Sequence, residues 1–148
     1  MGMAYLDYTT KGVLCKMRDY SYKLQAYGIS VELLGELKCF CRQYPDKVAE
    51  LSVIRGGFNS SALTGLPRGN DTSDQTGNRA VRALRLGGDI EAIEQAAIAA
   101  SDELYQYLLQ HVTRGVSFYS LQPPCGINQF AKLRRAFFIE LAKKLGKI

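Results

Sequence analysis

Apolar residues recur at helical spacing along almost the whole chain, and alternation of the strand type is missing. Residues 4–26 place Tyr5, Tyr8, Gly12, Cys15, Tyr20 and Leu24 at mixed helical intervals, which predicts a helix weakened at Gly12. Ser30 is placed to cap a second helix, "VELLGELKCFCRQY", which should stop before Pro45 because the residue preceding a proline avoids helical geometry. A shorter third segment, "PDKVAELSVI", opens on a proline and an acid, both suited to a first helical turn.

The pattern then lapses. Residues 55–78, "RGGFNSSALTGLPRGNDTSDQTGN", are rich in Gly, Ser, Asn and Asp and read as a long irregular loop. No Lys-Ser/Thr follows the glycines and no apolar strand precedes them, so a phosphate-cradling loop is not expected. Helical character begins around Thr72 and dominates to His111. Ala83, Leu86, Ile90, Ile93, Ala97, Ala100, Leu104, Tyr107 and His111 step alternately by three and four, and the phase survives Gly87-Gly88-Asp89. One continuous helix of roughly 60 Å is therefore predicted, at about 1.5 Å per residue, with a weak point at the glycines. A helix of that length needs neighbours along it or a second copy of the chain, and Ala97 and Ala100 permit close approach.

The last third contains a helix end, a short segment, a break and a final helix. Arg114-Gly115 ends the long helix. Ser117 can cap a short helix from Phe118 to Gln122, which Pro123-Pro124 stops. A last helix starting at Gly126 or Asn128 should run to about Leu145 and close at Gly146. Phe130, Leu133, Phe137, Leu141 and Leu145 form its apolar stripe, with Ile127 and Phe138 beside it. The opposite side carries Asn128, Lys132 and Arg135, flanked by Gln129 and Arg134. Such side chains near a helix N-terminus are the ones that pair with base edges in a major groove. Lys143 and Lys144, with Lys147, lie further along, where they suit phosphates.

Charge sharpens this picture. The 148 residues carry a net charge of +5. From Thr113 onward there are seven basic residues against Glu140 alone, or +6, which leaves the preceding 112 residues at 5 minus 6, or −1. A near-neutral body with a basic end is the asymmetry of a protein that meets a polyanion on one face, although a solvated basic helix gives the same count.

The remaining chemistry is sparse. Cys39 and Cys41 form a C-x-C on a predicted helix, where i and i+2 diverge, and the chain has a single histidine, so no metal or cofactor is expected. With Cys15 and Cys125, these read as reduced thiols. His111 lies on the apolar stripe and reads as a packed histidine. Ser117, Cys125 and His111 are close in sequence but straddle a helix end and a proline break, with no orienting acid nearby, so an enzyme is not expected. No apolar run is long enough for a membrane span and no leader pattern opens the chain, which points to a cytoplasmic protein. The opening Met-Gly is followed by Leu6, a poor fit to a myristoylation signal.

Residues 63–148 resemble a known family. "LPRG" with Asp74 before a long helix, "RGVS" (Arg114–Ser117), Leu121 in the short helix and Ile127-Asn128 opening the last one are similar to the RinA/ArpU-like transcriptional regulators of Firmicute prophages. The last third of those proteins is similar to region four of sigma factors. The resemblance implies a helix-turn-helix-like unit, duplex DNA as ligand and RNA polymerase or a second copy of the chain as partner. It departs at "LQPPC", where the family usually has Ile-Ala followed by leucine, so a shortened or distorted turn is expected.

The sequence therefore predicts an all-α chain, organised as N-terminal helices (1–54), an irregular loop (55–78), and a long helix with a C-terminal helix-turn-helix-like unit (79–148). These should form one structural domain. The expected function is DNA-binding transcription regulation by a phage or prophage protein, through Asn128, Gln129, Lys132, Arg134, Arg135, Lys143 and Lys144. Two other readings stay open: a protein-interaction module, such as a phage adaptor or inhibitor of a host protein, and the DNA-recognition component of a packaging complex.

Overall fold

A computed structural model describes residues 23–59 and 73–148, and all regular structure among them is helical. The helices are α1 (Val31–Arg42), α2 (Tyr44–Asn59), α3 (Ser73–Ala100), α4 (Tyr105–Arg114), α5 (Phe118–Leu121) and α6 (Ile127–Lys144). The helix expected over 4–26, with Cys15, lies outside the described residues apart from a last turn at 23–25. That turn ends at Gly28, whose φ of 82° reverses the chain.

Ser30 caps α1 as its position predicts, its Oγ accepting from the Leu33 amide at 3.1 Å. Only Gln43 separates α1 from α2, because α2 begins at Tyr44 and holds Pro45 in its first turn, where no intrahelical N–H is required. The third segment is longer than its apolar pattern suggests. Helix α2 continues through Arg55-Gly56-Gly57 to Asn59, and α3 begins at Ser73, so the loop expected over 55–78 is helical at both ends. Glycine weakens a helix by only about 1 kcal/mol per residue, less than adjoining turns can supply. The intervening part of the loop lies outside the described residues.

The long helix needs a second correction. It passes through Gly87-Gly88 unbroken and ends instead at Ala100, giving 28 residues, or roughly 42 Å at 1.5 Å per residue. The break falls at Ser101–Leu104. There the Ser101 hydroxyl accepts from the Leu104 amide at 3.3 Å, a local side-chain bond that competes with helix continuation. Beyond the break the buried stripe shifts by one residue, from the expected 104, 107 and 111 to Leu104, Leu108 and Val112, with Tyr107 and His111 half-buried.

The core gathers Leu24 and Ile29, Leu34, Leu37 and Cys41 of α1, Ile93, Ala96 and Ala97 of α3, Leu108 and Val112 of α4, and Phe130, Phe137, Phe138, Leu141 and Ala142 of α6. Helix α6 lies along the C-terminal half of α3, where Ala96 and Ala97 are fully buried and leave room for its phenylalanines. Helix α2 lies along the middle of α3, held by Lys47 to Asp89 (2.7 Å), Arg82 to Glu50 and the Tyr44 hydroxyl to Glu94 (2.6 Å). Burial, the hydrogen bond to Glu94 and its charge push the Tyr44 phenol up to about 12. No helix among the described residues is long and apolar enough to cross a membrane.

Candidate nucleic-acid interface

The turn into α6 is fixed by its own residues. Gly115 ends α4 with φ 70°, its amide donating to the His111 carbonyl at 3.1 Å. Ser117 caps α5, accepting from the Ser120 amide at 3.2 Å. Helix α5 is a single turn. Gln122 precedes Pro123, which disfavours continuation of the right-handed helix, and it ends α5 in the left-handed conformation, φ 46°. Gly126 then opens α6, its carbonyl accepting from Phe130 at 2.9 Å. At "LQPPC" the short helix ends at Leu121, one residue before the expected Gln122, and α6 leaves the turn as a full 18-residue helix.

Helix α6 has two dissimilar sides. Phe130, Phe137, Phe138 and Leu141 enter the core, and Leu133 is half-buried. Asn128, Gln129 and Lys132 are exposed, and Arg135 is half-buried on the same strip. Beside this strip a shallow cleft of about 490 Å³ is lined by Lys23, Tyr27, Lys132, Arg135 and Ile139. Lys23 and the exposed Tyr27 are additions that sequence reading did not supply. They lie more than a hundred residues away in sequence, so only the packing of Leu24 into the core brings them there.

Arg134 does not share this strip. It lies on the opposite side of α6, half-buried, with Nη1 at 2.9 Å from His111 Nε2. The His111 Nδ1 lies 2.7 Å from the Val116 carbonyl, which can only accept, so Nδ1 carries the proton and Nε2 accepts from Arg134. The imidazole also meets Phe130 edge-on at 5.3 Å. Lys38, Arg42, His111 and Arg134 line one cleft of about 230 Å³ between α1, α4 and α6. Burial first, then Arg134 and Arg42, lowers the Lys38 pKa from its ordinary value. Ser117 Oγ is 2.9 Å from Ser120 Oγ, so it is engaged within α5. Lys143 and Lys144 are exposed, but roughly 17 Å beyond Lys132 along the helix. Lys143 pairs with Glu140 at 3.0 Å, and Lys144 donates to Gln95 at 3.4 Å.

Cys39 is exposed, Cys125 half-buried and Cys41 buried, all as free thiols. Burial pushes the Cys41 thiol up to about 12, which keeps it a neutral packing group at ordinary pH.

His111 makes stability pH-dependent. Burial first, and then Arg134 and Arg42, disfavours the imidazolium and lowers the folded pKa below 6.5. The unfolded chain therefore binds this proton more readily. The resulting stability is complete above the unfolded value near 6.5 and is lost as pH falls towards the depressed folded value. Its slope should not exceed about 1.4 kcal/mol per pH unit, the limit for one proton. Thermal melts across this window should show His111→Gln losing that part of the slope. An unchanged slope would remove His111 as its source.

Comparison of the chain with protein-family models, curated proteins and solved structures returned no significant match.

Proposed function

We propose that the chain binds double-stranded DNA through the N-terminal half of α6, as a phage or prophage transcription regulator of the kind residues 63–148 resemble. The supporting observation is the solvent-facing strip of Asn128, Gln129 and Lys132, with Arg135 and Lys23 beside it. Asn128 and Gln129 carry the paired donor and acceptor that suit a base edge. Lys132, Arg135 and Lys23 supply charge for the phosphates on either side. Arg134, expected beside them, serves the fold through His111 instead. Lys143 and Lys144 can add affinity at a groove edge but not sequence choice. The likeness to sigma-factor region four makes RNA polymerase the proposed protein partner.

Three phosphate contacts give a log–log salt slope of roughly −2 to −3 per protomer. The test is a titration of labelled duplex, from the region upstream of the gene and scrambled, at two salt concentrations. Lys132→Ala with Arg135→Ala should weaken binding about ten-fold and flatten the slope by about 2. An affinity and slope untouched by that pair would end the proposal. Equal, weak binding to both duplexes that vanishes with salt would favour an acidic protein as the ligand.

A further inference from the structure

The described fold leaves a groove of about 1140 Å³ between α2 and α3, away from the α6 strip. Its walls include Val48 and Arg55 of α2 and Leu84, Gly87, Gly88 and Glu91 of α3. Leu84 is 77% exposed although it lies in the middle of a 28-residue helix. Two adjacent glycines at mid-helix weaken α3, and nothing among the described residues calls for them. A Cβ built on either meets no atom within 4 Å. Close approach of another backbone does require such positions, since only glycine brings a helix surface down to its main chain.

Charge identifies the occupant. Along α3, Arg79, Arg82 and Arg85 stand between Asp74 in the first turn and the glycines, and Asp89, Glu91 and Glu94 follow with no base. Arg82, Asp89 and Glu94 are already engaged by Glu50, Lys47 and Tyr44 of the chain's own α2, which leaves Glu91 as the acid offered to a partner. Within the groove Arg55 stands at the end beside Ala80 and Ala83, and Glu91 stands beyond the glycines. A surface basic at one end and acidic at the other is complementary to itself when turned end for end.

We infer that this groove is the seam of a symmetric dimer, in which α3 of a second copy crosses antiparallel at Gly87-Gly88. The two-fold axis sets Leu84 of each copy beside the bare Gly88 of the other, and Arg55 of each near the other's Glu91. Such an interface is isologous and closes at two copies. This inference is independent of the DNA reading, and it is tested without DNA.

Sedimentation equilibrium of the full chain should give twice its 16.4 kDa. Gly88→Gln has open space in the single chain and favours helix, so it should leave circular dichroism intact while halving the mass. Leu84→Glu should do the same. Glu91→Arg alone should dissociate the dimer, and Arg55→Glu added to it should restore the mass. A wild-type chain that stays at 16.4 kDa up to its solubility limit would overturn the inference. So would a larger closed assembly, or a Gly88→Gln variant that remains dimeric.

Discussion

Phe137→Ala is expected to lower the unfolding free energy by about 3–5 kcal/mol, the cost of deleting a large aromatic ring from a packed core. Among the described residues Phe137 is the largest of the fully buried side chains, at 0% exposure, and it lies edge-on to Phe138 with ring centroids 5.1 Å apart. The cavity would open between α6 and the small residues Ala96 and Ala97 of α3, which cannot close it without moving the helix axis. Urea unfolding should show a lower midpoint with an unchanged slope, since the surface exposed on unfolding is nearly the same. A loss under about 1 kcal/mol would mean that α6 is not the central helix of this core.

Gly115→Val is expected to cost about 1–3 kcal/mol, because a β-branched residue is forced into left-handed geometry. Gly115 has φ 70°, and a Cβ there would stand 2.6 Å from Arg42 Nη1. Arg42 is exposed and can swing away, so backbone strain rather than this clash sets the size of the effect. Gly115→Asn meets the same guanidinium but tolerates the backbone, so it should retain most of the stability. Equal losses in the two variants would shift the cause from strain to the Arg42 contact.

The legible features of the sequence were those with local physical causes. Ser30 and Ser117 are caps, and Gly115 and Gly146 end helices, because each satisfies groups within a few residues of itself. The stripe of α6 was equally readable, since a phenylalanine-rich face at helical spacing has one place to go. Composition misled where it was asked to end a helix. Gly56 and Gly57 lie inside a helix rather than in the expected loop, while the unbroken phase across Gly87-Gly88 is a correct guide to a helix that continues; the actual break at Ser101 depends on a side-chain bond to Leu104 that periodicity does not register. The candidate strip was legible to the same degree. Asn128, Gln129, Lys132 and Arg135 follow from helical phase. Arg134 was grouped with them as a neighbour in sequence, yet one residue turns it about 100° around the helix, towards His111. Lys23 had no local signature, because its place depends on tertiary packing.

The double character of α6 bears on the thermodynamics of any ligand it meets. The backbone that presents Asn128 and Lys132 is the backbone that anchors Phe130 and Phe137, so its conformational entropy is surrendered when the chain folds, before any encounter. A partner docks against a rigid template and need order only the tips of a few long side chains. The heat-capacity change of complex formation should therefore reflect the contact surface itself, without the larger component that accompanies a helix forming on its target.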